Sequence, residues 1–370
     1  MKKQLLAATL TLLAAAKMFA LPPLLGDTSY KASSIDNLDI NMSWENLQIK
    51  EARQDNNILV EVYCNKKKYA PTVKLSSSTI VIDSAPSKIH LFSFERKNCT
   101  VIIYLPSGKK FDKATIRLSS GSLQEATDLS AESIQLQLSS GNINCGYLKA
   151  QTIQTISSSG SIKLEGINAS DALVQASSGT ISTGNIQAQT FTAKTSSGSI
   201  KTDSLRANEA VFSATSGSIK LKDATVQDIS LSTTSGGISV DGLLANKISA
   251  SASSGTIGLE LNGAPTKKSS VSATSGTIFI SMPKDAAATI RATTSSGGFV
   301  NAFTKERINS HADYENQING GGAVLSLSTS SGRITVDVGK GVSASGYTNS
   351  SRVTDDDGDS PVVTVDRPIF

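Results

Sequence analysis

The sequence predicts an all-β chain wound as a single parallel β-solenoid (a β-helix) with coils of about 19 residues and irregular terminal caps. Three observations carry this. A [Ser/Thr]-Ser-Gly triplet recurs from Gly121 to Gly332, with successive glycines 20 residues apart, then six times 19, then 21, 21 and 35. The residue two after each glycine is apolar, from Leu123 through Ile143, Ile162 and Ile181 to Phe299 and Ile334, and nine of the eleven are Ile. Within each unit apolar and polar residues alternate with period two, as Ile219 and Leu221 do with Ser218, Lys220 and Lys222. Fixed spacing marks a stacked architecture, and period-two alternation with β-branched residues marks strands.

Taken in chain order, residues 1–20 read as a Sec-type signal peptide. Lys2 and Lys3 precede an apolar run from Leu5 to Ala16, and Ala20 closes it before Leu21, Pro22 and Pro23. Lys17 ends that run short of the ~20 residues a spanning helix needs. No cysteine lies near the cut, which disfavours a lipid anchor. Residues 21–115 hold strand-like runs at Leu38–Met42, Leu47–Lys50, Leu59–Cys64, Thr79–Ile82, Cys99–Leu105 and Ala114–Leu118 without glycine corners. These suit capping coils, since terminal repeats are atypical. Residues 116–345 carry the repeats, expected as two or three short strands per coil, each paired in parallel with its equivalent in the next. Residues 346–370 form an acidic tail with a last possible strand at Val362–Val365.

Inside the coils, the Ile column is expected to stack as one core ladder. The neighbouring inward column mixes Cys145, Leu164, Thr183, Thr202, Leu221 and Val240, which assigns Cys145 to packing. Glycine at the corner allows either positive φ or a close approach between coils. The adjoining Ser and Thr hydroxyls are expected to bond main-chain groups. A second use of that hydroxyl row is to grip sugar or ice. Cys64 and Cys99 both sit on apolar strands, and in an oxidising compartment they fit a disulfide as well as two buried hydrophobes.

These residues carry a resemblance. A strand pair, the segment Ser78-Thr-Ile-Val-Ile82, an apolar run ending Leu105-Pro106-Ser107-Gly108 and the Ser-Ser-Gly-x-Ile repeats follow in order, and Gly320–Gly322 leads into Leu325-Ser-Leu-Ser-Thr-Ser-Ser-Gly332-Arg-Ile334. The arrangement resembles the bacterial "putative adhesin" family of β-strand-repeat domains of unknown function, and is similar to head-domain adhesins of the autotransporter type. The resemblance implies a β-solenoid and a binding role at the envelope. It implies no particular site residue.

Composition removes several classes of function. Aromatics are 5% and charged residues 18%. Losing Lys2, Lys3 and Lys17 with the signal peptide takes the net charge from +4 to +1, so a nucleic-acid partner lacks its electrostatic footprint. The basic clusters Lys66, Lys67, Lys68 and Lys109, Lys110, Lys113 read as solvated strand ends that discourage edge pairing, with contact to an anionic envelope polymer as the alternative. His90 and His311 are the only histidines, too few for an ordinary zinc site or a Ser-His-Asp triad. No glycine corner continues as a phosphate loop.

A polysaccharide lyase or glycoside hydrolase would need clustered outward carboxylates. Asp203, Asp223 and Asp241 share one region of successive coils, which a solvated turn explains, and Trp44 is the only tryptophan. Lys305–Gln317, with His311, Asp313, Tyr314 and Glu315, is the longest interruption, read equally as a binding loop or a tolerated insertion. Asp355, Asp356, Asp357, Gly358 and Asp359 could offer oxygen ligands to Ca²⁺, yet lack the full calcium-loop pattern and read as a charged tail. The terminal Phe370 resembles the end of an outer-membrane barrel strand, but membrane strands with aromatic girdles are missing from the pattern. The expectation is therefore an exported binding protein without catalytic, cofactor or metal residues, not integral to the membrane. Its partner would be an envelope polymer, a glycan or a protein. A self-associating scaffold is the second reading.

Overall fold

The computed structural model describes residues 21–52, 56–85 and 97–339. The expected signal peptide, His90, the Asp355–Asp359 cluster, the Val362–Val365 strand and Phe370 lie outside them. Apolar residues every second position make strands, and a constant 19-residue interval makes those strands stack in register. The middle of the molecule is built this way. Six long strands, β11 (Ile143–Ser157), β12 (Ile162–Ala176), β13 (Ile181–Thr195), β14 (Ile200–Ala214), β15 (Ile219–Ser235) and β16 (Ile238–Ser254), each supply one coil. Neighbours pair in parallel, with Ile143 opposite Ile162, Ile162 opposite Ile181, and so on to Ile238. The expected two or three short strands per coil are instead one strand of 15 or 17 residues that bends around the core. The ladder survives the bends because every coil bends at the same residues, so each N–H keeps its partner.

The Ile residues of this column are all at most 1% exposed, and each contributes roughly 1.5–3 kcal/mol on burial. Where the core takes a large side chain, its neighbours shrink. Phe191 stacks between Ala172 and Ala210 in one column, and Phe212 between Ala193 and Leu231 in the next. Their rings meet at 5.5 Å between centroids. This alternation of large and small keeps the cross-section filled at constant coil length.

Core hydroxyls obey the same accounting. Thr183 and Thr202 bond to each other at 2.9 Å. Thr155, fully buried in the column of Val174 and Ala193, has no hydrogen-bond partner for its Oγ1. An unpaired buried hydroxyl costs about 1–3 kcal/mol. The isosteric change Thr155→Val is therefore expected to raise the urea midpoint by the equivalent of about 1 kcal/mol. An unchanged or lowered midpoint would mean that a water or a shifted rotamer satisfies the hydroxyl.

The glycine corner is explained by close approach, not by backbone handedness. A Cβ on Gly160, Gly179, Gly198 or Gly217 would lie 1.7–2.0 Å from the carbonyl oxygen of the corner glycine one coil earlier. Of the eleven corner glycines only Gly255 has a left-handed φ. Most of the main-chain bonds come from the residue three before the glycine; within the Ser-Ser pairs, Ser296 Oγ donates to Ser330 O at 3.1 Å. Thr195 Oγ1 donates to Gly179 O at 3.1 Å and accepts from Gly198 N at 3.1 Å, and Thr233 Oγ1 donates to Gly217 O at 3.0 Å. Alanine fills this position in the intervening coils, at Ala176, Ala214 and Ala252.

At both ends the stacking order departs from the sequence order. The N-terminal region contains β1 (Leu24–Lys31), β2 (Asn37–Met42), β3 (Asn46–Glu51), β4 (Asn57–Cys64), β5 (Thr72–Ser76), β6 (Thr79–Asp83), β7 (Cys99–Leu105), β8 (Lys110–Leu118) and β9 (Leu123–Ala126). β2 lies between β6 and β8, and β3 between β7 and β9, all in parallel. β8 then pairs with β10 (Leu129–Leu138), which continues into β11. Antiparallel strands close this end: β5 on β6, β4 on β7, and β1 on β4.

The C-terminal region repeats the device. It runs through β17 (Ile257–Leu261), β18 (Ser269–Ser275), β19 (Ile278–Met282), β20 (Ala288–Thr294), β21 (Phe299–Asn301), β22 (Glu306–Ile308), β23 (Asp313–Ile318), β24 (Val324–Thr329) and β25 (Ile334–Val338). The last two strands insert backwards: β24 between β18 and β20, β25 between β19 and β21. β23 and β22 pair antiparallel with β20 and β21 and close the end. The 35-residue glycine interval is this detour, and Gly332 stacks on Gly276 with Gly297 on top.

Cys64 faces Cys99 across β4 and β7, with Cα atoms 4.1 Å apart, and the two form a disulfide. Closing a loop of that length is worth about 4 kcal/mol on the chain-entropy account. The lysine clusters divide. Lys109 is not a solvated strand end: its Nζ donates to the Ala32 and Ile35 carbonyls and lies 5.0 Å from the Phe111 ring centroid, and burial lowers its pKa. Lys110 pairs with Glu132. No helix among the described residues is long and apolar enough to cross a membrane.

Candidate binding surface

Stacking in register turns every outward coil position into a column of side chains along the axis, one per coil, spaced by about 4.8 Å. What those columns contain decides what the surface can do. Asp203 ion-pairs with Lys222 at 2.6 Å, and its charge and hydrogen bond raise the lysine pKa. Asp241 and Glu260 continue that column, while Asp223 occupies the next one, opposite Ser204. The three aspartates are thus distributed along a charged surface strip with no enclosed site between them. Among the described residues no group of three His, Cys, Asp or Glu is placed to hold a metal ion.

Cys145 is buried in the core with its thiol pushed up to about 12, chiefly by burial and secondarily by the charges of Asp128 and Glu165. A thiol so placed is a packing group and a poor nucleophile.

The segment 305–317 is not an open loop. It supplies β22 and β23, and its Tyr314 packs on Phe299 at 4.4 Å between ring centroids. Tyr314 OH donates to Glu306 Oε2 at 2.5 Å and accepts from Asn301 Nδ2 at 3.1 Å, while Thr304 Oγ1 donates to the same carboxylate at 2.5 Å. The hydrogen bonds from Thr304 and Tyr314 lower the Glu306 pKa, and burial with the Glu306 bond raises that of Tyr314. Arg291 and Glu315, opposite each other on β20 and β23, pair at 2.8 Å. His311 is exposed, at a left-handed φ of 55°. Of the two readings of this segment, these contacts describe a latch on the end of the stack.

Two features of the remaining surface can recognise a ligand. The first is the Ser-Ser row: both residues before every corner glycine are exposed, giving two parallel columns of hydroxyls along eleven corners. At its N-terminal end the row meets Ser43-Trp44-Glu45 in place of Ser-Ser-Gly, with Glu45 O under Gly121 and Trp44 edge-on to Tyr69 at 6.1 Å.

The second is a shallow groove of about 490 Å³ along the corner between Leu148 and Ile153 and their equivalents. Its floor is the column Ala131, Ala150, Ala169, Ala188, and its walls are the residues before and after each alanine. Sequence reading passed over it, because Gln, Asn and Ser on an outward face look like ordinary solvated surface. The signal available was alanine at 19-residue intervals flanked by polar residues, among them Gln151, Asn168, Gln187 and Gln189.

A family model described as Toastrack DUF4097 matches residues 35–182 and 170–337. Solved structures with similar folds include a "putative adhesin" from Bacteroides fragilis, 16% identical, covering 60% of this chain and 97% of its own, at a TM-score of 0.38. A "putative lipid binding protein" from Parabacteroides distasonis is 14% identical, covering 84% of this chain and 96% of its own, at 0.35. A "putative cell adhesion protein" from Clostridium sporogenes is 9% identical, covering 86% and 100%, at 0.23. No curated protein gives a significant match.

Proposed function

We propose that this chain, which belongs to the Toastrack DUF4097 family, is an exported, non-catalytic binding protein of the bacterial envelope. It would hold an extended partner by shallow, repeated contacts along its coils. The single observation that supports this reading most is the register of the outward columns: every outward position recurs once per coil, and at the corners the exposed [Ser/Thr]-Ser pair recurs with it. Such a surface offers many weak contacts to a long partner and no enclosed volume in which to strain a bond.

The exposed, ion-paired setting of Asp203 on an open surface strip shared with Asp223 and Asp241 disfavours a lyase or hydrolase on this scaffold. The antiparallel strands over both ends disfavour a scaffold that grows by end-to-end stacking, because a new coil would need parallel pairing there.

The test is an array of envelope polymers and glycans probed with the purified protein, reading retained protein and released fragments together. Retention without cleavage is the expected result. Release of fragments would replace this reading with an enzymatic one, and no retention on any polymer would refute it.

A further inference from the structure

The alanine-floored groove combines a shape, a chemistry and a length that point to one class of ligand. The shape comes from residue size. At this coil position the side chain is alanine in each of the coils that line the groove, and the lining ends at Gln189, one coil before Arg206 and Ala207. At the other end the Lys110–Glu132 ion pair lies across the corner. The open length between them covers four coils, or roughly 15–19 Å at the usual strand spacing. Strict 19-residue register keeps the groove parallel to the axis and straight.

The chemistry of the walls is amide. Gln151, Asn168, Gln187 and Gln189 stand exposed on the two sides, and none of them bonds to another group of the described structure. Elsewhere outward amides do satisfy one another between coils. Gln135 Nε2 donates to Gln154 Oε1 at 3.2 Å, and Gln227 to Asn208, in the same column as Gln189, at 3.4 Å. On one wall of the groove Ser170 stands between Gln151 and Gln189 and is too short to bridge them, and on the other wall Asn168 and Gln187 face each other across adjacent coils without a mutual hydrogen bond. The amides of the groove therefore keep both donors and acceptors free. The cations that line the groove are paired, Lys110 with Glu132 and Lys149 with Asp128 at 3.6 Å.

We propose that this groove binds a neutral, extended polysaccharide lying along the coil axis. Free amides on both walls match ring hydroxyl and acetamido groups, which also donate and accept. A straight floor of methyl groups accommodates the apolar edges of a flat, extended chain of sugars, and such a chain advances by about one coil per sugar. An extended peptide fits less well. The backbone N–H and C=O groups of these coils are already paired to neighbouring coils, so strand addition is closed, and no apolar side pocket opens off the floor. An anionic chain would meet no uncompensated cation here. The proposal rests on the binding reading above and adds the place and the class of ligand.

The experiment uses the intact protein, with hexamers of β-linked glucose and of β-linked N-acetylglucosamine as probes. Side-chain amide NMR signals of glutamine and asparagine are followed during titration with each. The expected result is saturable shifts at Gln151, Asn168, Gln187 and Gln189, leaving the Gln135–Gln154 pair unmoved. The groove-filling change Ala169→Arg and the wall change Gln151→Ala with Gln189→Ala should each weaken binding at least tenfold. Thermal melts of the variants confirm that the fold persists, and the double wall change, fully exposed, guards against misfolding of Ala169→Arg. Shifts confined to the Ser-Ser row or the terminal latch would overturn the groove while leaving the binding function intact. Binding to neither hexamer, beside retention on a charged polymer or a protein in the array, would also overturn it. Only failure of the whole array would remove the binding function as well.

Discussion

Replacing Gly217 by alanine is expected to destabilise the protein by at least about 3 kcal/mol, measured as a fall in the urea midpoint at unchanged slope. The added Cβ would lie 1.7 Å from Gly198 O and 2.5 Å from its carbonyl carbon, both backbone atoms that belong to the neighbouring coil. Relief requires the coils to separate, which strains the ladder on either side. It also tilts Gly217 O away from the Thr233 hydroxyl bonded to it at 3.0 Å. Mid-stack, neither end can slide to absorb the shift. The control is Gly258→Ala in an outward strand position, where the nearest atom is Ile238 O at 3.9 Å. That change should be neutral or stabilise by a few tenths of a kcal/mol, through the lower entropy of the unfolded chain. Equal effects at the two sites would show that the corner glycines serve the turn and not the close contact.

The second large effect concerns the backward insertion at the C-terminus. A chain ending at Gly320 lacks β24 and β25, and with them Leu325, Leu327, Ile334 and Val336, all at most 1% exposed. Burial of those four side chains contributes roughly 6–12 kcal/mol in total. Their loss also leaves β18 and β19 as open edges and separates β20–β23 from the stack, because the only parallel partners of β20 and β21 were the missing strands. The shortened protein is expected to form concentration-dependent aggregates on size-exclusion chromatography, as exposed parallel edges do. Deleting residues 199–217 instead removes one whole coil and rejoins Gly198 to Ser218 in register. That variant should remain a soluble, folded protein with proportionally less β-signal. If the Gly320 chain behaves like the coil deletion, the inserted strands are dispensable and the ends fray coil by coil.

The contrast between these two changes marks what the sequence could and could not disclose. The Ile ladder, the corner glycines and the core role of Cys145 were legible because they repeat at a local, constant interval, and stacking follows from the interval alone. The order of the terminal strands was not. β2 inserts between two strands that both come later in the chain, and β24 between two that both come earlier, and such pairing leaves no periodic trace. Two antiparallel strands, β1 and β5, were missed for another reason: both are exposed almost throughout, β1 shows no alternation of apolar and polar residues, and β5 offers only Val73 and Leu75 within five residues. The disulfide was one of two open readings, the other being two buried hydrophobes, until the register put Cys64 opposite Cys99. At the binding surface, Asp203, Asp223 and Asp241 were legible as one shared region of successive coils, although the turn expected there is continuous strand. The groove was hidden because its walls are residues that solvent alone would explain.

The account stands or falls on binding being distributed along the axis. The most direct measurement is the affinity of one neutral β-linked glycan as a function of its length, from two sugars to eight, by calorimetry on the intact protein. Distributed contact predicts that the dissociation constant falls with each added sugar until the four-coil groove is filled, and that no shortened product appears. An affinity already complete at two sugars, or any cleavage during the titration, would contradict it and place the chemistry in a compact site.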